Sequence, residues 1–122
     1  MKYIGSGVTR EVFLTKRYAF KIPKLRYGWK LFLTGLLANM QERTFGTTGW
    51  PELCPIVFSI PGGWLNVQRR AAVLTPHEWQ NFDRDLFEYG SIDRGYIVPI
   101  GDWKAENFGV IDGRIVAVDY GS

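Results

Sequence analysis

Asp112-Gly113, set between the apolar-rich runs Asn107 to Ile111 and Arg114 to Val118, is the tightest constraint on this chain. Aspartate followed by glycine between two such runs is a strong signal for a two-residue hairpin turn. If Ile111 and Arg114 flank the turn, Asn107 falls opposite Val118, and Asp119 lies beside Asn107 at the open end of the ribbon. Two oxygen-bearing side chains then meet at one place. That pairing suits a hard cation such as Mg²⁺, which prefers carboxylate, carbonyl and water ligands.

The chain has 122 residues, 46% of them hydrophobic and 16% aromatic, which is enough for one globular core but not for two. The apolar run from Leu31 to Leu37 is far too short to span a bilayer, and no signal peptide is expected at the N-terminus. Cys54 is the only cysteine. It excludes an internal disulfide and a cysteine-based zinc site, and a reducing, cytoplasmic setting is expected. Residues 1–30 carry eight Lys/Arg against one acid, whereas the rest carries seven against eleven. A basic first part facing a more acidic second part could grip phosphates from one side and a metal from the other. A solvated basic face and a nucleic-acid contact are the other readings of that asymmetry.

Lys2 to Gly5, Glu11 to Leu14 and Tyr18 to Ile22 read as three short strands joined through Gly5-Ser6-Gly7 and Thr15-Lys16-Arg17. Alternation in the third places Ala19 and Lys21 on one face, with Tyr18, Phe20 and Ile22 on the other. From Trp29 to about Arg43 the spacing of Trp29, Leu33, Leu36, Leu37 and Met40 predicts a helix with these residues as its buried stripe. Pro55 to Ile60 and Trp64 to Arg69 read as a second hairpin across Pro61-Gly62-Gly63. The expected fold class is α+β, a five-stranded antiparallel sheet carrying one helix. Thr75-Pro76-His77-Glu78 predicts a helix start with a threonine cap and a capping box. Trp79, Phe82, Leu86 and Phe87 supply its apolar face over Pro76 to Tyr89, and Gly90 marks the stop. His77 is expected at the surface.

Asp102-Trp103-Lys104-Ala105-Glu106-Asn107, followed after the hairpin by Asp119-Tyr120-Gly121, resembles the catalytic loop and metal-binding triplet of eukaryotic-type protein kinases. Upstream, Gly5-x-Gly7-x-x-Arg10-x-Val12 is similar to the glycine-rich loop of that family, with Arg10 standing where the third glycine belongs, and an arginine there could itself touch phosphate. Tyr18-Ala19-Phe20-Lys21 resembles its lysine-bearing strand. The resemblance implies that Gly5 and Gly7 approach phosphates, and that Val12 and Ala19 enclose an adenine ring. Lys21 would reach the α- and β-phosphates, paired to Glu42, the only acid on the first helix. Asp102 would orient the attacking hydroxyl, Lys104 would neutralise the γ-phosphate, and Asn107 with Asp119 would hold Mg²⁺. The family's His-Arg ahead of the catalytic aspartate is here Ile100-Gly101.

On that likeness the chain divides into an N-lobe over 1–69, a hinge over 70–75 and a minimal C-lobe over 76–122. The C-lobe is a helix followed by the catalytic-loop hairpin. The match stops at Gly121-Ser122, where the family continues into its activation segment and a helical bundle. What it implies is an ATP- and Mg²⁺-binding minimal kinase-like protein, a Ser/Thr-type phosphotransferase acting on itself or on a partner. The alternative is a catalytically silent, pseudokinase-like module that binds or inhibits another protein. With few later helices to cover it, the 76–89 helix face is expected to meet a protein partner or a second copy. A third reading, a basic and aromatic-rich nucleic-acid binder, predicts binding that falls steeply with salt.

Overall fold

Five short strands assemble into one sheet, and in two of them, YAFKIP and LNVQR, small or polar residues alternate with larger apolar ones. The computed structural model describes residues 2–6, 10–25, 28–101 and 103–121. Strands β1 (Lys2–Ser6), β2 (Arg10–Leu14), β3 (Tyr18–Pro23), β4 (Ile56–Ile60) and β5 (Leu65–Arg69) pair antiparallel in the order β1-β2-β3-β5-β4. A second antiparallel sheet holds β6 (Ala72–Val73), β7 (Phe108–Ile111) and β8 (Arg114–Ala117). The fold is α+β. The stretch after β5, expected as the hinge over 70–75, contributes β6 to the second sheet. Among the described residues no helix is long and apolar enough to cross a membrane.

The turn between β7 and β8 is built as its sequence demands. Asp112 and Gly113 both take positive φ, 52° and 78°, the mirror-image geometry that matches strand twist. Ile111 pairs with Arg114 and Phe108 with Ala117, so Asn107 and Val118 are the next facing pair. Their backbones are joined there, with the Val118 amide donating to the Asn107 carbonyl at 2.8 Å.

Helix α1 (Trp29–Gly46) follows β3 and packs on the face of the first sheet that carries Lys21 and Asn66. Its buried side differs from the expected stripe. Trp29, Leu33, Leu37 and Met40 are 73%, 48%, 53% and 47% exposed, and Phe32, Gly35, Ala38, Asn39, Glu42 and Gly46 are buried instead. The reason is polar. Asn39 must reach the Lys21 and Gly63 carbonyls, and Glu42 must reach Lys21, so these residues turn toward the sheet. Gly63, at φ 83°, lets the β4–β5 turn touch the helix, since a Cβ there would overlap the Leu36 backbone.

The helix expected from 76 to 89 is two helices. Helix α2 (Pro76–Gln80) begins with the capping box, Thr75 accepting from the Glu78 amide at 3.1 Å and Glu78 accepting from the Thr75 amide at 2.9 Å. Asn81 closes it, and Asp83 starts α3 (Arg84–Asp93) by accepting from the Leu86 amide at 3.0 Å. Two polar residues with good capping chemistry therefore override the apolar period across them. Gly90 does not end α3. The helix runs on to Asp93, and Gly95, at φ 95°, follows its last turn.

Trp79, Phe82 and Phe87 fold back onto Phe108 and Trp103 rather than facing outward together. Phe82 and Phe108 lie with centroids 5.3 Å apart, Trp103 and Phe108 5.5 Å, and Arg84 covers the Trp103 ring at 4.3 Å. With Leu53, Leu74, Ala117 and Tyr120 these rings form the main apolar core. Of the face expected to await a partner, Leu86 alone is largely exposed, at 68%.

Candidate functional site

Alternation along the strands and register between them gather one polar face. Arg10 stands opposite Pro23, Val12 opposite Lys21, Leu14 opposite Ala19, and Asn66 and Gln68 continue the same face on β5. Asn39 and Glu42, three residues apart on α1, project onto it from above. Lys21 and Ala19 are buried, as alternation requires.

The centre of this face is an ion-pair cluster. Lys21 Nζ lies 3.0 Å from Glu42 Oε1 and also donates to the Val118 carbonyl, next to Asp119. Arg10 divides its guanidinium between two partners. Its Nη1 lies 3.0 Å from Glu42 Oε2 and donates to Asn39 Oδ1 at 3.2 Å, while Nη2 donates to Asp119 Oδ1 at 2.6 Å. Glu42 is completely buried, whereas the Asp119 side chain is 45% exposed. Burial holds Lys21 below the ordinary lysine range, with Glu42 offsetting part of that effect. Burial also opposes the charge on Arg10, but Glu42 and Asp119 outweigh it and raise the pKa.

The Asp119-Tyr120-Gly121 segment is seated against α1. Tyr120 is buried and its hydroxyl donates to the Cys54 carbonyl at 2.6 Å. Gly121 sits at φ 86°, and a Cβ there would come within 3.1 Å of the Gln41 and Glu42 backbone. The glycine thus permits both the turn and the close approach that carries Asp119 toward Glu42's partners. Gln68 donates to the Val118 carbonyl at 3.2 Å, so the strand leading into Asp119 is held from the first sheet as well.

The candidates named from sequence therefore fall into three groups. Val12, Ala19, Lys21, Glu42 and Asp119 share one region, and Asn107 joins it through the backbone, its carbonyl accepting from Val118 and, at 3.4 Å, from the Asp119 amide. Gly5 lies in β1 opposite Val12, and Lys104 is exposed and lies 2.8 Å from Glu106. Gly7 and Asp102 lie outside the described residues. Asn39, Asn66 and Gln68 were passed over in the sequence, and Arg10, in the third glycine's place, was read there as an arginine that could touch phosphate and not as the partner of Glu42, Asp119 and Asn39. The signal for them was there. Asn66 and Gln68 alternate about Val67, and Asn39 precedes Glu42 by three positions, so each polar residue sits on the face that must be buried.

Asp119 and Asn107 adjoin through their backbones, and a carboxylate with an amide oxygen is a hard-oxygen set. It fits Mg²⁺, which keeps several waters and needs few protein ligands. One oxygen of that carboxylate is already taken by Arg10. Among the described residues no group of three or more His, Cys, Asp or Glu gathers as a metal cluster. No protein-family model matches this chain, and no curated protein matches it in sequence.

Proposed function

We propose that this chain is a minimal kinase-like protein that binds ATP with Mg²⁺ and transfers the γ-phosphate, as a Ser/Thr-type enzyme, to itself or to a partner protein. The observation that carries this reading is the Lys21–Glu42 pair. The two residues lie at 3.0 Å, buried, on the strand and the helix that follows it, with the lysine directed at the backbone beside Asp119. A buried lysine held in one place by a carboxylate is a fixed positive end for phosphates. The sheet order, with its helix between the third and fourth strands, agrees with a kinase N-lobe. Val12 and Ala19 offer the small, apolar surface an adenine needs.

Lys21 would bind the α- and β-phosphates, and Asp119 with Asn107 would hold the metal. Bound magnesium supplies charge neutralisation to the phosphate oxygens during transfer. Asp102 would accept or orient the proton of the attacking hydroxyl, and Lys104 would offset negative charge on the transferred group. This division predicts that Asp102→Ala keeps nucleotide affinity but loses transfer of labelled phosphate, while Lys21→Ala weakens binding and also loses transfer. Equal incorporation of label by wild type and Asp102→Ala would contradict the phosphotransferase reading.

One contact favours the second reading, a silent kinase-like binding module. Arg10 already neutralises Asp119, the carboxylate a metal requires. In that case ATP with candidate partner proteins yields no incorporation of label, and Asp119→Asn leaves partner binding unchanged.

A further inference from the structure

Arg10 stands at the meeting point of the two ligands that the proposed function requires, metal and triphosphate, and its two nitrogens have different attachments. Nη1 is anchored inside the protein by Glu42 at 3.0 Å and Asn39 at 3.2 Å. Nη2 holds Asp119, at the half-exposed edge of the cluster. A guanidinium anchored by one nitrogen can exchange the partner of the other with little movement of its stem. Its planar fork and multiple donors suit phosphate oxygens as well as a carboxylate.

We propose that Arg10 is a phosphate-binding residue that couples metal and nucleotide binding, surrendering Asp119 to the metal as it takes a phosphate oxygen of the nucleotide. This rests on the nucleotide reading given above. A divalent ion entering alone competes with Arg10 for the Asp119 carboxylate, and taking the oxygen that Arg10 holds leaves a buried guanidinium without its second anion, beside Lys21. A triphosphate entering alone must draw Arg10 away and leave Asp119 uncompensated near its own charge. When both enter, each freed group gains a new partner. Metal and nucleotide therefore favour one another through Arg10, a coupling that is reciprocal by linkage.

Two arms test this by binding alone. The first is Mn²⁺ titration without nucleotide, read by electron paramagnetic resonance of the free ion. Arg10→Gln is expected to bind Mn²⁺ about tenfold more tightly than wild type, the size of effect an adjacent cation has on a carboxylate. The second is ATP titration in excess EDTA, read by calorimetry. Asp119→Asn is expected to bind metal-free ATP more tightly than wild type, and the double variant Arg10→Gln/Asp119→Asn is expected to lose that gain. Unchanged Mn²⁺ affinity in a folded Arg10→Gln protein would overturn the proposal, as would a gain that persists in the double variant. If Arg10→Gln does not fold, Asp119→Asn compared with wild type decides it, no gain in metal-free ATP affinity being the overturning result. Failure of the nucleotide reading looks different. Wild type then binds no ATP even with Mg²⁺, while the Mn²⁺ arm still reports whether Arg10 blocks Asp119.

Discussion

Glu42 carries two cations on one fully buried carboxylate, and that asymmetry predicts unequal losses. Glu42→Gln leaves both Lys21 and Arg10 without their shared anion and is expected to cost about 3–5 kcal/mol, the range for breaking a buried pair. Lys21→Met leaves Glu42 still paired with Arg10 and is expected to cost less, about 1–3 kcal/mol. Urea denaturation of the two variants checks the order, and a larger loss in Lys21→Met would contradict it. Cys54 offers a second measurement at this scale. Burial pushes its thiol from 9.0 up to about 12, so between those values the native chain keeps a proton that the unfolded chain has lost. Its contribution is complete below pH 9 and disappears as pH rises toward 12. The stability advantage of wild type over Cys54→Ala, read as a melting-temperature difference, should therefore shrink across that window. A gap that widens with pH would refute the assignment. Lys21 and Glu42 were readable as partners because each is the one suitable charge in its element. Arg10 was not, since a pattern that expects glycine at its position gives no reason to look for a buried guanidinium.

At the level of elements, strand boundaries were the most legible part of the chain. All five strands of the first sheet begin and end within about one residue of the sequence reading, because Gly, Pro and Thr-Lys-Arg turns punctuate period-two runs. The face of α1 was not legible by apolar count. Counting Leu, Met and Trp selects the side that faces solvent, because the side against the sheet is chosen by hydrogen bonds from Asn39 and Glu42. Neighbouring residues on α1 should therefore respond unequally to truncation. Phe32 is buried against Trp64 and Trp29, and Phe32→Ala is expected to lose about 3–5 kcal/mol. Leu33→Ala is expected to change stability by less than about 0.5 kcal/mol, as exposed substitutions do. Equal losses at the two positions would contradict the orientation of the helix. The break between α2 and α3 has its own test. Asp83→Ala removes the cap on the Leu86 amide and is expected to cost about 1 kcal/mol.

Across the whole molecule, the two sheets are joined where the candidate site lies. The Ala117 amide donates to the Glu52 carbonyl and the Cys54 amide to the Ala117 carbonyl, both at 2.8 Å, and the next residues along the chain, Val118 and Asp119, accept from Lys21 and Arg10. The aromatic core gathers around Phe108 and Tyr120, with Ala117 of the junction in the same cluster. Cations from the first sheet thus meet a carboxylate delivered by the end of the second, and ligands that replace their mutual contacts should stabilise the whole fold through linkage. The most direct measurement is the melting temperature of wild type and Asp119→Asn with and without millimolar ATP and Mg²⁺. A clear rise is expected for wild type, needing both ligands together, and largely absent in Asp119→Asn. A wild-type melting curve unmoved by ATP with Mg²⁺ would contradict the nucleotide-binding function at its centre.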